Sequence, residues 1–288
     1  MRLANFQDIL GRRLGIIVNF PNSELADVAQ ELSDLPDTLG QLLPTIDDWR
    51  SRLQAASVNV PRLALKDVTL LAPIDNPRHF FAAGLNYADH AREMGMALPA
   101  QPRLFTKLPG TIGSPFGGVR HPGFSDTLDY EGELALVVGR ACRDVTEKEA
   151  RRYMGGFMIV NDLSLRALVN QDTLVLGKGC DGFAPQGPWL TTVDEVPDPR
   201  ALHIKTWVNG DLRQDGSTRE LIYGPDALLA WCSRGITLAA GDIISTGSPP
   251  GSGHGMKPPR YLQPGDRVRV EIDLLGAIEN LIVPGSEN

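Results

Sequence analysis

The chain has 288 residues, with 28 lysines and arginines against 35 aspartates and glutamates, for a formal charge of −7. At 42% hydrophobic and 22% charged it has a globular composition and the length for one large core or two unequal ones. A pI near 5.3 without a basic block excludes nucleic acid and anionic membrane surfaces as expected partners, since both recruit clustered lysine and arginine.

The longest apolar stretches, such as 15–20 and 157–160, are too short to span a bilayer, and no secretory signal is read at the N-terminus. Cys142, Cys180 and Cys232 are widely spaced and form no C-x-x-C pair. They read as free thiols of a reducing compartment, so a cytoplasmic location is expected.

Residues 14–20 predict a short strand. Over 23–35, Leu25, Val28, Leu32 and Leu35 fall at helical spacing until Pro36, which predicts a helix. A second helix is predicted from Thr45 as N-cap, with Asp48 three residues on and Ile46, Trp49 and Leu53 along one face. Residues 58–73 read as a connector and strand. Together they predict a small α/β appendage over 1–73, with no histidine and a supporting role.

From about Asp75 short apolar runs alternate with glycine and proline, marking a second unit over 74–288. Residues 133–139 and 156–161 read as buried strands. Asn209-Gly210, between apolar residues in 202–212, predicts a hairpin. Residues 225–235 predict a helix burying Leu228, Leu229 and Trp231. In 266–274, Val268, Val270, Ile272 and Leu274 alternate with charged residues, as in a half-buried antiparallel strand; a turn at Gly276 and a return strand through Val283 follow. The expected fold class is α+β, mostly β.

Three segments carry candidate chemistry. In Asp129-Tyr130-Glu131-Gly132-Glu133, the i and i+2 positions of a strand share a face, so Glu131 and Glu133 project together. Like charges that close need a cation or a proton between them, unless they simply face water. Asp162 follows the apolar run 157–160, and three carboxylates without His or Cys suit Mg²⁺ or Mn²⁺ better than zinc. The spacing leaves open whether Asp162 meets the glutamates. His90 and Glu93, three apart on a helical turn, form either a general base oriented by a carboxylate or a plain surface pair. His79, His121 and His203 read as structural, while His254 lies in the loop 247–255, from which it could line a site. The run 241–253 ends a strand in a Gly-rich loop offering backbone N–H groups and the Thr246 hydroxyl to an anion. It matches neither a P-loop nor G-x-G-x-x-G, and no G-x-S-x-G elbow is present. Lys178, between two glycines, reads alone as an exposed lysine, with a substrate carboxylate as the alternative partner.

Taken in chain order, several motifs resemble the fumarylacetoacetate hydrolase family over about 75–283. They are Gly84-Leu85-Asn86-Tyr87-Ala88-Asp89-His90, Leu104-Phe105-Thr106-Lys107, 129–134, Asn161-Asp162-Leu163-Ser164-Leu165-Arg166, 178–189, Val208-Asn209-Gly210, 241–247, 257–262 and Pro264-Gly265-Asp266. The resemblance implies a rolled mixed β-sheet catalytic domain, a homodimer, and an enzyme using Mg²⁺ or Mn²⁺ on Glu131, Glu133 and Asp162. It implies His90 and Glu93 as a water-activating dyad on a lid segment, with Lys178 as a catalytic lysine near the metal. Arg166, Thr246 and Lys107 are implied at the substrate, with Asn86, Tyr87 and Gly247 completing the binding set. Two departures stand out. Arg166 is followed by Ala167, Leu168 and Val169 where relatives often have Asp and a nearby Gln, with a shorter spacing from Asp162 to Lys178. Ser248 replaces the threonine of T-G-T-P.

The implied activity is hydrolytic C–C cleavage of a β-diketo acid such as an acylpyruvate or fumarylpyruvate. The same site also suits decarboxylation of a 2-oxo diacid, isomerisation of an unsaturated one, or hydration of a 2-oxo-enoic acid. An inactive dimeric binding module is the reading from a different class. A small 2-oxo or diketo acid is the expected ligand.

Overall fold

Strands Gly132–Val138 and Met154–Asn161 pair antiparallel at the centre of a large sheet. The computed structural model describes residues 1–169, 171 and 173–285, so the last three residues of the predicted second unit lie outside it. Among these residues the sheet has twelve strands. On one side follow Ile243–Ser245, Phe80–Gly84 and Arg103–Thr106; on the other follow Ala184–Thr192, Arg2–Asp8, Gly11–Val18, Glu24–Ala26 and Arg62–Ala64. A second sheet of five strands, containing His203–Val208 and Arg267–Ile272, packs against the first.

The central strand has two covered faces. Leu134, Leu136 and Val138 meet Ile204, Val268 and Val270 of the second sheet. Ala135 and Val137, on the opposite face, join Leu39, Leu42 and Leu53 of the N-terminal helical layer. A strand buried on both sides needs no polar alternation, which explains the continuous apolar run. By contrast Arg267–Ile272 buries only alternate residues and keeps the predicted period of two.

The hairpin at Asn209-Gly210 forms between His203–Val208 and Asp211–Ser217, with both turn residues at positive φ, 53° and 86°. Two left-handed positions in succession favour Asn-Gly. Helix Pro225–Cys232 buries Leu228 and Leu229 as expected, but Cys232 takes the buried place expected for Trp231, which is half-exposed. Helix Ile46–Asn59 starts after Thr45, whose hydroxyl bonds back to the Leu42 carbonyl at 3.3 Å instead of capping the helix.

The helix expected over 23–35 does not form. Glu24–Ala26 is a strand paired with Gly11–Val18, followed by a 3₁₀ turn at Val28–Gln30. Asp27 decides this: fully buried, its Oδ2 accepts Arg13 Nε and Nη2 at 3.1 and 2.9 Å and Gln30 Nε2 at 2.8 Å. Strand Arg2–Asp8 was not expected. It pairs with Ala184–Thr192, so the N-terminal residues extend the same sheet as the rest of the chain.

All three cysteines are free. Burial, with Asp242 nearby, pushes the Cys142 thiol up to about 11, and burial pushes Cys232 up to about 12. Iodoacetamide at pH 8 is therefore expected to label half-buried Cys180 before the other two, as peptide mass mapping would show.

Candidate active site

The ends of the two central strands converge on one cluster. Past the last paired residues the ladder continues, with Asp162 N–H donating to the Glu131 carbonyl at 2.8 Å. Glu131, Glu133 and Asp162 fall on the face already occupied by Ala135, Val137, Met158 and Val160. All three are buried, and each offers an oxygen within 4.8 Å of the others'. Gly132 N–H donates to Gln214 Oε1 at 2.9 Å and Glu131 N–H to Asn161 Oδ1 at 3.1 Å, which fixes the backbone between the glutamates.

Cations flank the cluster. Lys178 Nζ donates to Glu131 Oε2 at 2.5 Å and Asp162 Oδ2 at 2.6 Å. Lys107 Nζ donates to Asp162 and, at 3.0 Å, to the Phe183 carbonyl. Arg166 Nη2 reaches Glu131 Oε1 at 2.7 Å, and its Nε reaches Asp129 Oδ2 at 2.8 Å. Burial opposes ionisation of Glu131, but Arg166 and Lys178 outweigh it and hold that carboxyl well below its usual range. Glu133 moves the other way, raised by burial and by repulsion from Asp162 and Glu131. Burial disfavours the charge on Lys178, yet Asp162 and Glu131 raise its pKa overall.

The donor set fits a hard divalent cation. It consists of carboxylate oxygens alone, and Glu133 Oε2 is oriented by Ser245 Oγ at 2.5 Å and Gly247 N–H at 3.1 Å. Glu133 Oε1 takes no hydrogen bond among the described residues, and the side chain lines a cavity of about 390 Å³. That leaves an oriented, unspent lone pair beside two further carboxylates.

His90 lines the same cavity, together with Glu131, Lys178 and Arg166. It sits on the short helix Ala88–Glu93, with Nδ1 2.9 Å from Glu93 Oε2. The segment is pinned at both ends on Tyr223: Asn86 exchanges hydrogen bonds with its backbone N–H and C=O, and the Tyr223 hydroxyl donates to the Pro99 carbonyl at 2.9 Å. Met94, Met96 and Leu98 between these anchors are exposed.

Residues 79–283 match the family model for fumarylacetoacetate (FAA) hydrolase C-terminal. The chain belongs to the fumarylacetoacetate hydrolase family. Oxaloacetate tautomerase fahd2, mitochondrial, of Xenopus laevis is 37% identical over 98% of this chain and 90% of the relative. The solved fumarylacetoacetate hydrolase of Exiguobacterium antarcticum is 37% identical with a TM-score of 0.88, covering 99% of this chain and 100% of that one. Maleylpyruvate hydrolase from Sphingobium sp. SYK-6, solved with manganese(II) and pyruvate, is 31% identical with a TM-score of 0.84 at the same coverage.

Not every residue assigned from the family resemblance faces the cavity. Asn86 spends its amide on Tyr223 and the Thr246 carbonyl at 2.9 Å, so it clamps two loops. Tyr87 is fully buried in the core. Thr246 is also fully buried, behind Tyr87 and off the cavity lining, and Gly247, at φ 88°, offers its N–H to Glu133. Lys178 is buried and paired, where the isolated sequence favoured exposure. Asp129, given no role in the sequence reading, is fully buried and holds both Arg166 and the turn carrying His254, which lines the cavity. Arg103 and Phe105 also line it without any sequence signal beyond their place beside Lys107. Among the described residues no helix is long and apolar enough to cross a membrane.

Gly132 leaves no room for a side chain. A Cβ there would lie 2.5 Å from Thr206 Oγ1 and 2.8 Å from Val270 Cγ1 of the second sheet. Gly132→Ala is expected to cost about 1–3 kcal/mol and displace both glutamates, measured by urea unfolding and metal titration.

Proposed function

We propose that this family member is a divalent-metal-dependent hydrolase cleaving a C–C bond of a β-diketo acid of the acylpyruvate class. The observation that carries this reading is the His90–Glu93 pair, whose histidine lines the same cavity as Glu131 and Glu133, with Asp162 buried against those two carboxylates. Glu131, Glu133 and Asp162 would hold Mg²⁺ or Mn²⁺. Such an ion supplies positive charge for the 2-oxo and carboxylate oxygens of the substrate and for the enolate electrons, worth several kcal/mol.

The chain's own groups supply the proton traffic. Glu93 accepts from His90 Nδ1–H, leaving the Nε2 lone pair free. Nε2 takes a proton from water as the water oxygen attacks the distal carbonyl. The C–C bond then breaks, its electron pair leaving with the pyruvate portion, and the proton on His90 returns to that carbon. Acylpyruvate and water thus give a carboxylic acid and pyruvate. Lys178 and Arg166 balance the carboxylates and present positive charge to the substrate's anionic end. Lys107 donates to Asp162 and steadies that carboxylate.

A second reading is enol–keto tautomerisation of a 2-oxo diacid. It is favoured by the 37% identity to the Xenopus oxaloacetate tautomerase across 98% of the chain. It needs no attacking water, and His90 would move a substrate proton instead. Acetylpyruvate and oxaloacetate, each with Mg²⁺, Mn²⁺ or EDTA and followed by NMR, separate the readings. Metal-dependent acetate plus pyruvate is the expected result. Accelerated keto–enol exchange of oxaloacetate without acetylpyruvate cleavage would replace hydrolysis with tautomerisation, and absence of metal binding would sink the enzyme reading. A homodimer is the proposed assembly, to be checked by sedimentation.

A further inference from the structure

We propose that His254 is a second catalytic histidine, donating a hydrogen bond from Nε2–H to the oxygen of the substrate's distal acyl group. The choice of that oxygen rests on the hydrolase reading; the donor assignment stands on the ring's own surroundings.

His254 sits in the 3₁₀ turn Gly253–Gly255 and lines the same cavity as His90, Glu131 and Glu133. The turn is held from the metal side. Asp129 accepts Gly253 N–H at 2.8 Å on Oδ1 and His254 N–H at 3.1 Å on Oδ2. The same Oδ2 accepts Arg166 Nε, and Arg166 continues to Glu131. One buried carboxylate therefore ties the His254 backbone to a cluster residue more than a hundred positions away in sequence. A Cβ on Gly255 would lie 3.4 Å from Glu93 Oε1, so the turn also rests against the His90–Glu93 pair.

The ring nitrogens are differentiated by their partners. Nδ1 of His254 is 2.9 Å from the Tyr261 hydroxyl. Burial raises Tyr261 above its ordinary range, so the phenol keeps its proton. A neutral phenol is a stronger donor than a neutral imidazole N–H, so the O–H donates to Nδ1 and the imidazole proton resides on Nε2. Nε2 has no protein partner among the described residues. His90 is arranged the opposite way: its Nδ1–H points to a carboxylate and its Nε2 is left as an acceptor. Two histidines on one cavity thus present opposite polarity. Adding water to a carbonyl needs both, an acceptor for the water proton and a donor for the negative charge growing on oxygen.

The test uses the full chain, loaded with Mg²⁺ and labelled with ¹⁵N-histidine. Long-range ¹H–¹⁵N correlation is expected to show His254 protonated on Nε2, with its signal identified by loss in His254→Gln. Tyr261→Phe is expected to shift that tautomer balance toward Nδ1–H, and acetylpyruvate to shift the wild-type Nε2–H signal. In turnover, His254→Leu is expected to lower kcat about 10²-fold with KM nearly unchanged. His254→Gln, whose amide nitrogen falls near the place of Nε2, should recover about tenfold of that loss. An Nδ1–H tautomer in the wild type, equal losses in the Leu and Gln variants, no loss in either, or a loss confined to KM would each overturn the proposal. Should the wild type fail to cleave acetylpyruvate, the hydrolase reading falls, and bound acetylpyruvate serves as the probe. A shifted Nε2–H signal then keeps the donor assignment, and an unmoved one overturns it.

Discussion

Glu133→Gln is expected to abolish metal binding and turnover while raising the melting temperature of the metal-free protein by ~2–4 °C. Without an ion, the carboxyls of Asp129, Glu131, Glu133 and Asp162 face Lys107, Lys178 and Arg166, four acids to three cations, and burial with repulsion from Asp162 and Glu131 raises Glu133. Among the described residues Glu133 is the one of these carboxylates without an ion pair; its hydrogen bonds come from the Ser245 hydroxyl and the Gly247 N–H. Glutamine keeps an acceptor oxygen for those two donors and turns an N–H₂ toward the remaining acids. The cost of folding an ionisable carboxyl into a buried acidic site is removed, and the oxygen offered to an ion is lost. Calorimetric titration with Mn²⁺ and thermal unfolding in EDTA check the two halves. Retained affinity, or a lower melting temperature in EDTA, would remove Glu133 from the metal set.

His90→Ala should leave Mn²⁺ affinity unchanged and lower turnover about 10²–10⁴-fold, the usual worth of a positioned general base. Among the described residues the side chain makes no hydrogen bond to the three carboxylates, and it stands on a helix apart from their strands. Glu93→Gln should cost less, about tenfold, because the ring stays in place while its Nδ1–H loses a charged acceptor. Wild-type turnover in His90→Ala would end the base assignment.

The elements legible in the sequence were those whose pattern one neighbour imposes. Arg267–Ile272 shows its half-buried alternation directly, and Asn209-Gly210 announces the hairpin because few other residues accept two positive φ values in a row. Glu131, Glu133 and Asp162 could be picked out as carboxylates abutting apolar runs, although their meeting depends on the register Glu133↔Val160. What stayed hidden depends on distant partners. Leu25, Val28, Leu32 and Leu35 keep helical spacing, yet the buried Arg13–Asp27 pair and strand pairing with Ile16 and Ile17 override it. Lys178 resembles a surface lysine until the fold brings Glu131 and Asp162 to its ammonium group. His254 gains its orientation from Asp129 and Tyr261, and neither contact leaves a mark on local composition.

The carboxylates and the histidines stand on unlike supports. The first end strands at the centre of a twelve-stranded sheet; the second ride on a six-residue helix and a three-residue turn at the cavity wall. The helix with His90 makes no hydrogen bond to the three carboxylates among the described residues, whereas the turn with His254 is tied to Glu131 through Asp129 and Arg166, so the two wall segments differ in how far they can change without moving the carboxylates.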